Sequence, residues 1–454
     1  MKAQANKHIL LMIVVLVCSN IFGYSVFDLY YGTAIPHHDA RVAALGGTGV
    51  AGGFTLLDSN INPGNLFYLD GSGGIQLTHS SIRNSESRAL PLWNFFDSYV
   101  GSSTYARNEN YYLEFGLGLF YSLPIKESTL SMGFSVRPII NFGARYREEV
   151  RNDDSSDIGE GVFGLNYPPI LAKNFIDSDG VLESYSFLLN WGMPVNDIVS
   201  FSLGTELSLF RGQHKNSVRI HWTEIAHNQM GQGVLPDSMY HSNNTIDGIG
   251  FRLGLTSQVT QRLRLGLVYT PKATLNSDFS LRYNDEAVDD HGDFVMPSKI
   301  RLGFLYKPRN PFRTNFHVDF EIVNYSEIDR FFDDGYAFYV GMEHYVGRAI
   351  PFRLGFSHQT AKQDRAIALP SVSIGTGFNI TDHFHLNIAA TYGRREYIAL
   401  DLFRDGYYDD RVYTGSNNSN LWSRNFVPAD RGWDNPDNVT ESFLKMFTSV
   451  SFRW

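Results

Sequence analysis

Two stretches of the sequence hold residues whose types and spacing suit chemistry. In "LGGTGVAGG" (residues 45–53), Gly47, Gly49 and Gly52 form G-x-G-x-x-G, the pattern of a phosphate-cradling turn. In "HFH", His383 and His385 lie two residues apart, which on a strand puts both imidazoles on one face, where they could share a metal ion. The elements that position each stretch decide whether that chemistry is possible.

Neither stretch has the surroundings that its chemistry needs. A dinucleotide site requires a strand before the glycines, a helix after them and a βαβ unit around them, and no such unit follows Gly52. The histidine pair has no evident third ligand and no nucleophile. We therefore predict that the protein is not an enzyme and that it binds no metal and needs no cofactor.

The N-terminus has the order of a secretory signal peptide. Lys2 and Lys7 precede an unbroken apolar run over 9–17, and small residues follow, so we assign 1–23 as the signal. The single cysteine, Cys18, lies within it, which leaves the exported chain without thiol chemistry. A formal net charge of -9 argues against a nucleic-acid partner.

Beyond residue 70 the dominant pattern is strict alternation of apolar and polar residues. It is clear in "LSMGFSVR" (130–137), "FRLGLTSQV" (251–259) and "PFRLGFSH" (351–358), and period two indicates strands with unlike faces. The polar face carries charges that a soluble core would not accept unpaired. We predict fourteen strands, near 73–82, 110–123, 129–146, 180–193, 198–211, 246–259, 262–275, 297–307, 313–325, 336–346, 351–358, 370–380, 383–393 and 442–454.

Tight connections between these strands alternate with long polar ones, including 147–179, 212–245 and 394–441. Short turns at one end and long loops at the other are typical of an outer-membrane barrel, whereas a soluble all-β protein gives no reason for the asymmetry. Aromatic residues at the short-turn ends fit an interfacial girdle: Tyr121, Trp191, Tyr306 and Trp454. The sequence therefore predicts an all-β, transmembrane antiparallel barrel of about fourteen strands.

Several segments then resemble a known family. "ARVAALGGTGVAGGFTLLDSNINPGNL" is similar to the opening of FadL-type outer-membrane transporters; Asn62 and Pro63 match, while Gly64 replaces the usual alanine. "MPSKIRLGFLYKP", "FHVDFEIVNYSEI" and "LPSVSIGTGFNI" resemble later strands of that family in order, and the final "TSVSFRW" resembles the signal that the barrel assembly machinery recognises. The resemblance implies a hatch over 24–70 inside a barrel over 71–454, with the glycines shaping the hatch backbone.

The function implied by the resemblance is passive uptake of hydrophobic small molecules, such as long-chain fatty acids or aromatic hydrocarbons. Such a protein lies in the outer membrane of a Gram-negative-type bacterium, among outer-membrane lipids and lipopolysaccharide. Two alternatives stay open, because a barrel fold does not fix a function. One is a non-transporting, PorV-like barrel that acts in protein secretion or surface attachment, and the other is a simple polar porin.

Candidate ligand contacts fall in two regions. Trp222 in the predicted loop 212–245, on a short helix with Ile225 and Met230, and Trp93 in 89–100 would capture a solute at the surface. Apolar residues that interrupt the inward polar face would line a pocket, with Arg252 or Arg301 near a carboxylate. These pocket residues are Phe120, Leu188, Phe210, Val268, Leu305 and Val323.

The third strand contains a proline and a glycine that break its pattern. In "RPIINFG", Pro138 removes a ladder donor and Gly143 permits a bend. In the FadL family a kink in this strand opens a lateral gap through which ligand is thought to leave, which the resemblance carries over to these two residues. The alternative is a bulge at the loop end of the strand, where barrel bulges are common.

Overall fold

The coordinates are a computed structural model, which describes residues 26–52, 54–93, 96, 98–151, 170–224, 237–283, 286–309, 313–346, 350–399, 402 and 437–454. The predicted signal peptide therefore lies outside the described residues, as do Ile225 and Met230. Side chains of Leu90 to Trp93 are also outside that description.

Fourteen antiparallel strands form a closed barrel, which confirms the predicted fold class. Closure comes from the last strand, which pairs with the first from Asn438↔Ala89 to Arg453↔Gly74. The strands are β1 Gly73–Trp93, β2 Tyr99–Ile125, β3 Ser128–Asn141 continued as Ala144–Arg151, β4 Ile170–Pro194, β5 Ser200–Trp222, β6 Ser238–Gln258, β7 Leu263–Thr270 continued as Ala273–Tyr283, β8 Glu286–Met296 continued as Lys299–Tyr306, β9 Thr314–Val323, β10 Gly335–Val346, β11 Ile350–Thr360, β12 Ala368–Asn379, β13 Phe384–Ala399 and β14 Asp437–Arg453.

Most strands are longer at their loop ends than the alternation predicts. The predicted loop 212–245 is wrong in its bounds, because β5 runs to Trp222 and β6 begins at Ser238. Trp222 is thus the last residue of a strand and not part of a helix. The physical reason is that these strand ends rise above the apolar belt, where outward residues are polar and the alternation that identifies a strand disappears.

Outward-facing side chains form a continuous apolar belt. On β5, Leu203, Leu207 and Leu209 are each about half exposed, and the outward residues of the other strands repeat this pattern. A belt of this size is stable only against an apolar solvent such as lipid. Among the described helices, none has the length and hydropathy to cross a bilayer.

Residues 26–72, here called the N-terminal segment, lie inside the barrel and are mostly buried. The segment contains one α-helix, α1 (Ala40–Ala44), whose first turn is capped by the Asp39 carboxylate. Short 3₁₀ turns follow at Leu57–Asn60 and Pro63–Tyr68. The alanines of α1 pack against Ala389 and Phe447 of the wall, so small side chains bring the helix close to the strands.

The glycine run explains how the segment approaches the wall. Gly46 has φ +71°, and a Cβ there would lie 2.6 Å from the backbone nitrogen of Phe356 on β11. Gly47 has φ +93°, a conformation that glycine adopts at little cost. The glycine run over 46–47 therefore serves close backbone packing in the lumen.

Inward charges of the barrel bind the same segment. The Asp319 carboxylate accepts the backbone N–H groups of Gly49 and Val50 at 2.8 and 3.0 Å. Arg301 donates to Asp319 at 2.9 Å and to the Gly47 carbonyl at 2.6 Å. Asn62 donates to Val50 and to Thr256 of β6. Charges that would be costly in a dry core are thus paired across the lumen.

Replacing Asp319 with alanine is expected to loosen the N-terminal segment without preventing barrel assembly. Two buried N–H groups lose their acceptor, at a cost of roughly 1–3 kcal/mol each. Limited trypsin digestion of the folded barrel checks this, since Arg41 is buried in the parent and becomes cleavable in the variant. Asp278→Ala, which removes an exposed outward acid, is the control; equal protection of Arg41 in D319A and parent would contradict the anchor.

Candidate ligand cavity and wall opening

Strand β3 loses its regular ladder at the predicted proline and glycine. The register with β4 shifts between Pro138 and Ile140, and the strand breaks before resuming at Ala144. At the break, the Gly143 N–H donates to the side chain of Asn141 instead of to a neighbouring strand. Proline supplies no N–H to the ladder, so an irregularity at this point is expected.

The pairing between β2 and β3 ends at this irregularity. The last paired residues are Leu117 and Val136. Above them, in the described residues, side chains make the connection: Asn110 donates to the Arg145 carbonyl at 3.1 Å, and Asn141 donates to Glu114 at 3.4 Å. The barrel wall therefore has a gap in its backbone ladder between these two strands.

The N-terminal segment supplies hydrogen bonds at the edge of this gap. Its two-residue strand Thr33–Ala34 pairs with Asn141 and Ile140 of β3. The Ile35 N–H then donates to the Ile139 carbonyl at 2.8 Å. A chain that is not part of the barrel thus takes the place of the missing neighbour.

His38 also binds the edge of β3 that lacks a barrel neighbour. Its Nε2 contacts the Pro138 carbonyl, and the ring is buried. Burial lowers the pKa of His38 to about 3, helped by the nearby Arg137 guanidinium. The ring is therefore neutral at physiological pH and carries its proton on Nε2, from which it donates to the carbonyl.

Opposite the break, β4 contains a glycine with positive φ that the sequence reading did not single out. Gly180 has φ +131°, and a Cβ there would overlap the Gln213 carbonyl oxygen. Its own carbonyl accepts from the Phe142 N–H at 2.9 Å, across the break in β3. Gly180 is thus the position where β4 follows the deformation of its neighbour.

A cavity of about 310 Å³ lies above the N-terminal segment and reaches this break. Ile139 and Ile140 of β3 form one side of it. Further apolar lining comes from Phe210, Val268 and Phe294. The segment itself forms a further part of the boundary, through residues 27, 28 and 31–37 and through Gly46, Asn60 and Ile61. Where it meets the wall opening, the cavity is therefore lined by the two isoleucines together with Arg137.

Another side of the cavity is charged. Glu206 accepts from Arg137 at 3.1 Å and from Arg252 at 2.8 Å, so one carboxylate serves two guanidinium groups. Lys299 also lines the cavity and makes no hydrogen bond or ion pair with the residues described. Seven cationic and three acidic side chains line the cavity among apolar ones, and this excess of positive charge suits an anionic group on an apolar ligand.

The predicted ligand residues fall in different places. Phe210, Val268, Arg252 and Arg301 line the cavity. Phe120 and Leu188 instead pack with Leu56, Leu66 and Leu69 of the N-terminal segment. Leu305 and Val323 are buried without lining it, Trp222 is buried at the end of β5, and the side chain of Trp93 lies outside the described residues.

Two contributors to the cavity were missed by sequence reasoning. Lys299 begins the second part of β8, two residues before Arg301, so the alternation of that strand places both on the inward face. The pairing of residues 33–35 with β3 had no local signal, because it joins positions about a hundred residues apart.

The two histidines that suggested a metal make other contacts. His383 Nδ1 lies 2.8 Å from the Arg453 carbonyl, and His385 Nδ1 lies 2.8 Å from the Asn379 amide oxygen. Within the described part of the chain, no group of three potential ligands converges on a metal site.

Comparison with solved structures places this geometry among known barrels. A Pseudomonas aeruginosa FadL homologue superposes with a TM-score of 0.58 at 14% identity, covering 93% of this chain and 99% of its own. The fold is that of the FadL-type transporters. The P. putida toluene transporter TodX shares this fold, with a TM-score of 0.57 at 14% identity, over 92% of this chain and 99% of its own. The Ralstonia pickettii toluene transporter TbuX also shares it, with a TM-score of 0.54 at 16% identity, over 94% of this chain and 100% of its own.

Comparisons by sequence found no match: no family model matches the chain, and no curated protein matches it. The FadL-type fold is therefore recognised through its backbone.

Gly180→Ala is expected to destabilise the barrel, because alanine is strained at φ +131° and its Cβ would overlap the Gln213 carbonyl. Backbone strain of this kind costs roughly 1–3 kcal/mol, which a urea unfolding midpoint resolves. Gly101→Ala is the matched control, since nothing lies within 4 Å of a Cβ there. Equal midpoints for the two variants would refute the role of Gly180.

Proposed function

We propose that the protein is an outer-membrane channel for passive uptake of hydrophobic small molecules. In this proposal residues 24–70 act as a hatch and 71–454 as the barrel, after removal of the signal over 1–23. The apolar belt faces lipid, and the long loops face outward from the cell. Loop residues near Trp222 and Trp93 make the first contact with the solute.

One observation carries the proposal: the lumenal cavity is bordered by the two isoleucines at the break in β3. The lining at Ile139 and Ile140 meets the gap in the backbone ladder at the upper edge of the apolar belt, which offers a route from the lumen to the lipid boundary. A polar porin needs neither feature, because its solutes leave through a wet channel along the barrel axis. The solved neighbours named as toluene transporters support the same class of ligand.

The preferred ligand is an amphipathic molecule with an anionic end, such as a long-chain fatty acid. Its tail would occupy the region between Phe210 and Val268, and its carboxylate would lie beside Lys299 and Arg252. Arg301 is a weaker candidate for that role, because it already donates to Asp319 and to the Gly47 carbonyl. Aromatic hydrocarbons use the same cavity without the charged contact.

Ligand exit follows the gap between β2 and β3. Residues 33–38 must then leave β3, because they occupy the edge that the gap exposes. Three contacts hold them there: the two-residue ladder, the Ile35 amide and the His38 ring. Pro138 prevents β3 from closing the gap with an ordinary ladder bond.

Lys299→Gln is expected to weaken binding of a long-chain carboxylate by about tenfold, the loss of one charge-assisted hydrogen bond. Binding of an uncharged aromatic hydrocarbon should be unchanged. Fluorescent-ligand titration of the purified barrel measures both. Lys173→Gln, an exposed cation on β4, is the control. Equal loss for both ligands, or no loss for either, would argue against a carboxylate at Lys299.

A reversible tether tests lateral exit. Because Ile35 and Ile139 form a hydrogen-bonded pair, Ala34 and Ile140 form the adjacent pair without hydrogen bonds, where Cα atoms are about 4.5 Å apart and within disulfide reach. In an Ala34→Cys, Ile140→Cys variant, oxidation should stop uptake and reduction should restore it. The parent barrel is free of thiols once the signal over 1–23 is removed, since Cys18 is the single cysteine of the sequence.

Equal uptake in the oxidised and reduced states would exclude exit past residues 33–38. Failure of both states to carry any hydrophobic probe, together with a co-purifying secreted protein, would instead favour the secretion-associated alternative.

A further inference from the structure

The outer surface of the barrel carries a polar depression above its apolar belt. Tyr185, Leu209 and Ile249 are exposed apolar residues that pair across three adjacent strands. Two residues further along each strand, Glu183, Arg211 and Asp247 align in register and also face outward. This row of charges marks the upper edge of the belt in this sector of the wall.

A second row lies four residues beyond the first. Asp179, Lys215, Asn243 and Ser280 pair in sequence across β4, β5, β6 and β7. Four residues of strand rise about 13 Å along the strand axis, or somewhat less than 10 Å along the membrane normal for a strand tilted by roughly 45°. This row therefore lies immediately outside the hydrocarbon layer, at the level of lipid head groups.

A third outward row follows two residues higher and contains most of the remaining charge. Arg145, Asp177, Ser217, His241 and Arg282 pair across β3 to β7. Together the second and third rows line one depression of about 410 Å³. Its walls offer hydroxyl, amide and cationic groups, with no large apolar side chain among the lining residues.

Some cationic side chains in this depression have no acidic partner among the residues that the structure describes. Asp177 is neutralised by Arg219 at 2.9 Å and by Arg145 at 3.7 Å. Lys215 and Arg282 make no ion pair or hydrogen bond with the residues that the structure describes. Asp179, beside Lys215, is the one lining acid without such a partner there. Two cations therefore remain against one carboxylate.

We propose that this depression binds the phosphorylated sugar head group of an outer-leaflet glycolipid. Lys215 and Arg282 contact the phosphate, since guanidinium and ammonium groups are the usual phosphate partners and basic pockets at this height bind lipid head groups. Ser217, Asn243 and Ser280 hydrogen-bond the sugar hydroxyls. The acyl chains then lie along the apolar belt below. The inference rests on the proposed outer-membrane location.

The test is direct binding of a bisphosphorylated glycolipid to the full-length barrel in a neutral detergent, followed by native mass spectrometry. Lys215→Gln with Arg282→Gln should weaken binding by about tenfold or more, because each substitution removes a charge-assisted contact. Lys215→Arg with Arg282→Lys keeps both charges and should retain most of the affinity. Arg83→Gln with Arg394→Gln removes two outward cations from β1 and β13, and should leave binding unchanged.

Further arms separate the possible sources of binding. The same glycolipid without phosphates should bind as weakly to the parent as the intact lipid binds to the double glutamine variant. A soluble phosphorylated saccharide should compete only partially, because it lacks the acyl chains. Equal binding by K215Q/R282Q and parent, or by the dephosphorylated lipid, would overturn the site. Uptake of an uncharged hydrocarbon by the same variants measures the channel function separately. Loss of glycolipid binding therefore does not imply loss of hydrocarbon uptake.

Discussion

A strand that crosses hydrocarbon must satisfy every backbone amide and carbonyl, and β3 does not do so on its barrel neighbours alone. Pairing with β2 stops at Val136, and Pro138 shifts the register with β4. Pro138 lies opposite Glu183, at the upper edge of the apolar belt, where leaving a buried backbone group unpaired costs roughly 1–3 kcal/mol, so the break persists only because other groups fill it. Thr33, Ala34 and Ile35 do this from inside the lumen.

Other inward-facing side chains of the barrel hold the N-terminal segment in place through ion pairs and hydrogen bonds. Glu343 accepts from Arg41 at 2.6 Å and from Arg353 at 2.8 Å, while Asp319 binds the backbone of the glycine run. Such buried ion pairs contribute little net stability compared with apolar packing, but breaking one partner is costly. They therefore fix the position of residues 33–38 more than they add to the stability of the barrel.

Much of the fold was predictable from sequence, because alternation and loop asymmetry are local properties. The number of strands, the closed barrel and the inward charges follow from them. The loop ends of strands such as β5 and β6 could not be predicted from sequence, because the alternation disappears where both faces of a strand are polar. The irregularity at Pro138 was predictable from the chemistry of proline, but its filling by residues 33–35 depends on a contact between distant parts of the chain. The inward position of Lys299 could be predicted from the alternation of its strand, because it lies two residues before Arg301.

The cavity lining mixes apolar side chains with charged ones, which explains why composition alone was uninformative about what it binds. Phe210 and Val268 interrupt an otherwise polar inward face, and such interruptions also occur where side chains pack against the N-terminal segment, as Phe120 and Leu188 do. Sequence reasoning had no means to separate these two cases, because the course of the segment through the lumen decides between them.

The central claim is that residues 33–38 are a removable substitute for a missing strand neighbour. Amide hydrogen exchange at Ile35, measured with the barrel in lipid and compared with the ladder amide of Leu119, tests it most directly. The account predicts that Ile35 exchanges faster than Leu119, and faster again when a transported amphiphile saturates the cavity. Protection of Ile35 equal to that of Leu119, unchanged by ligand, would contradict it.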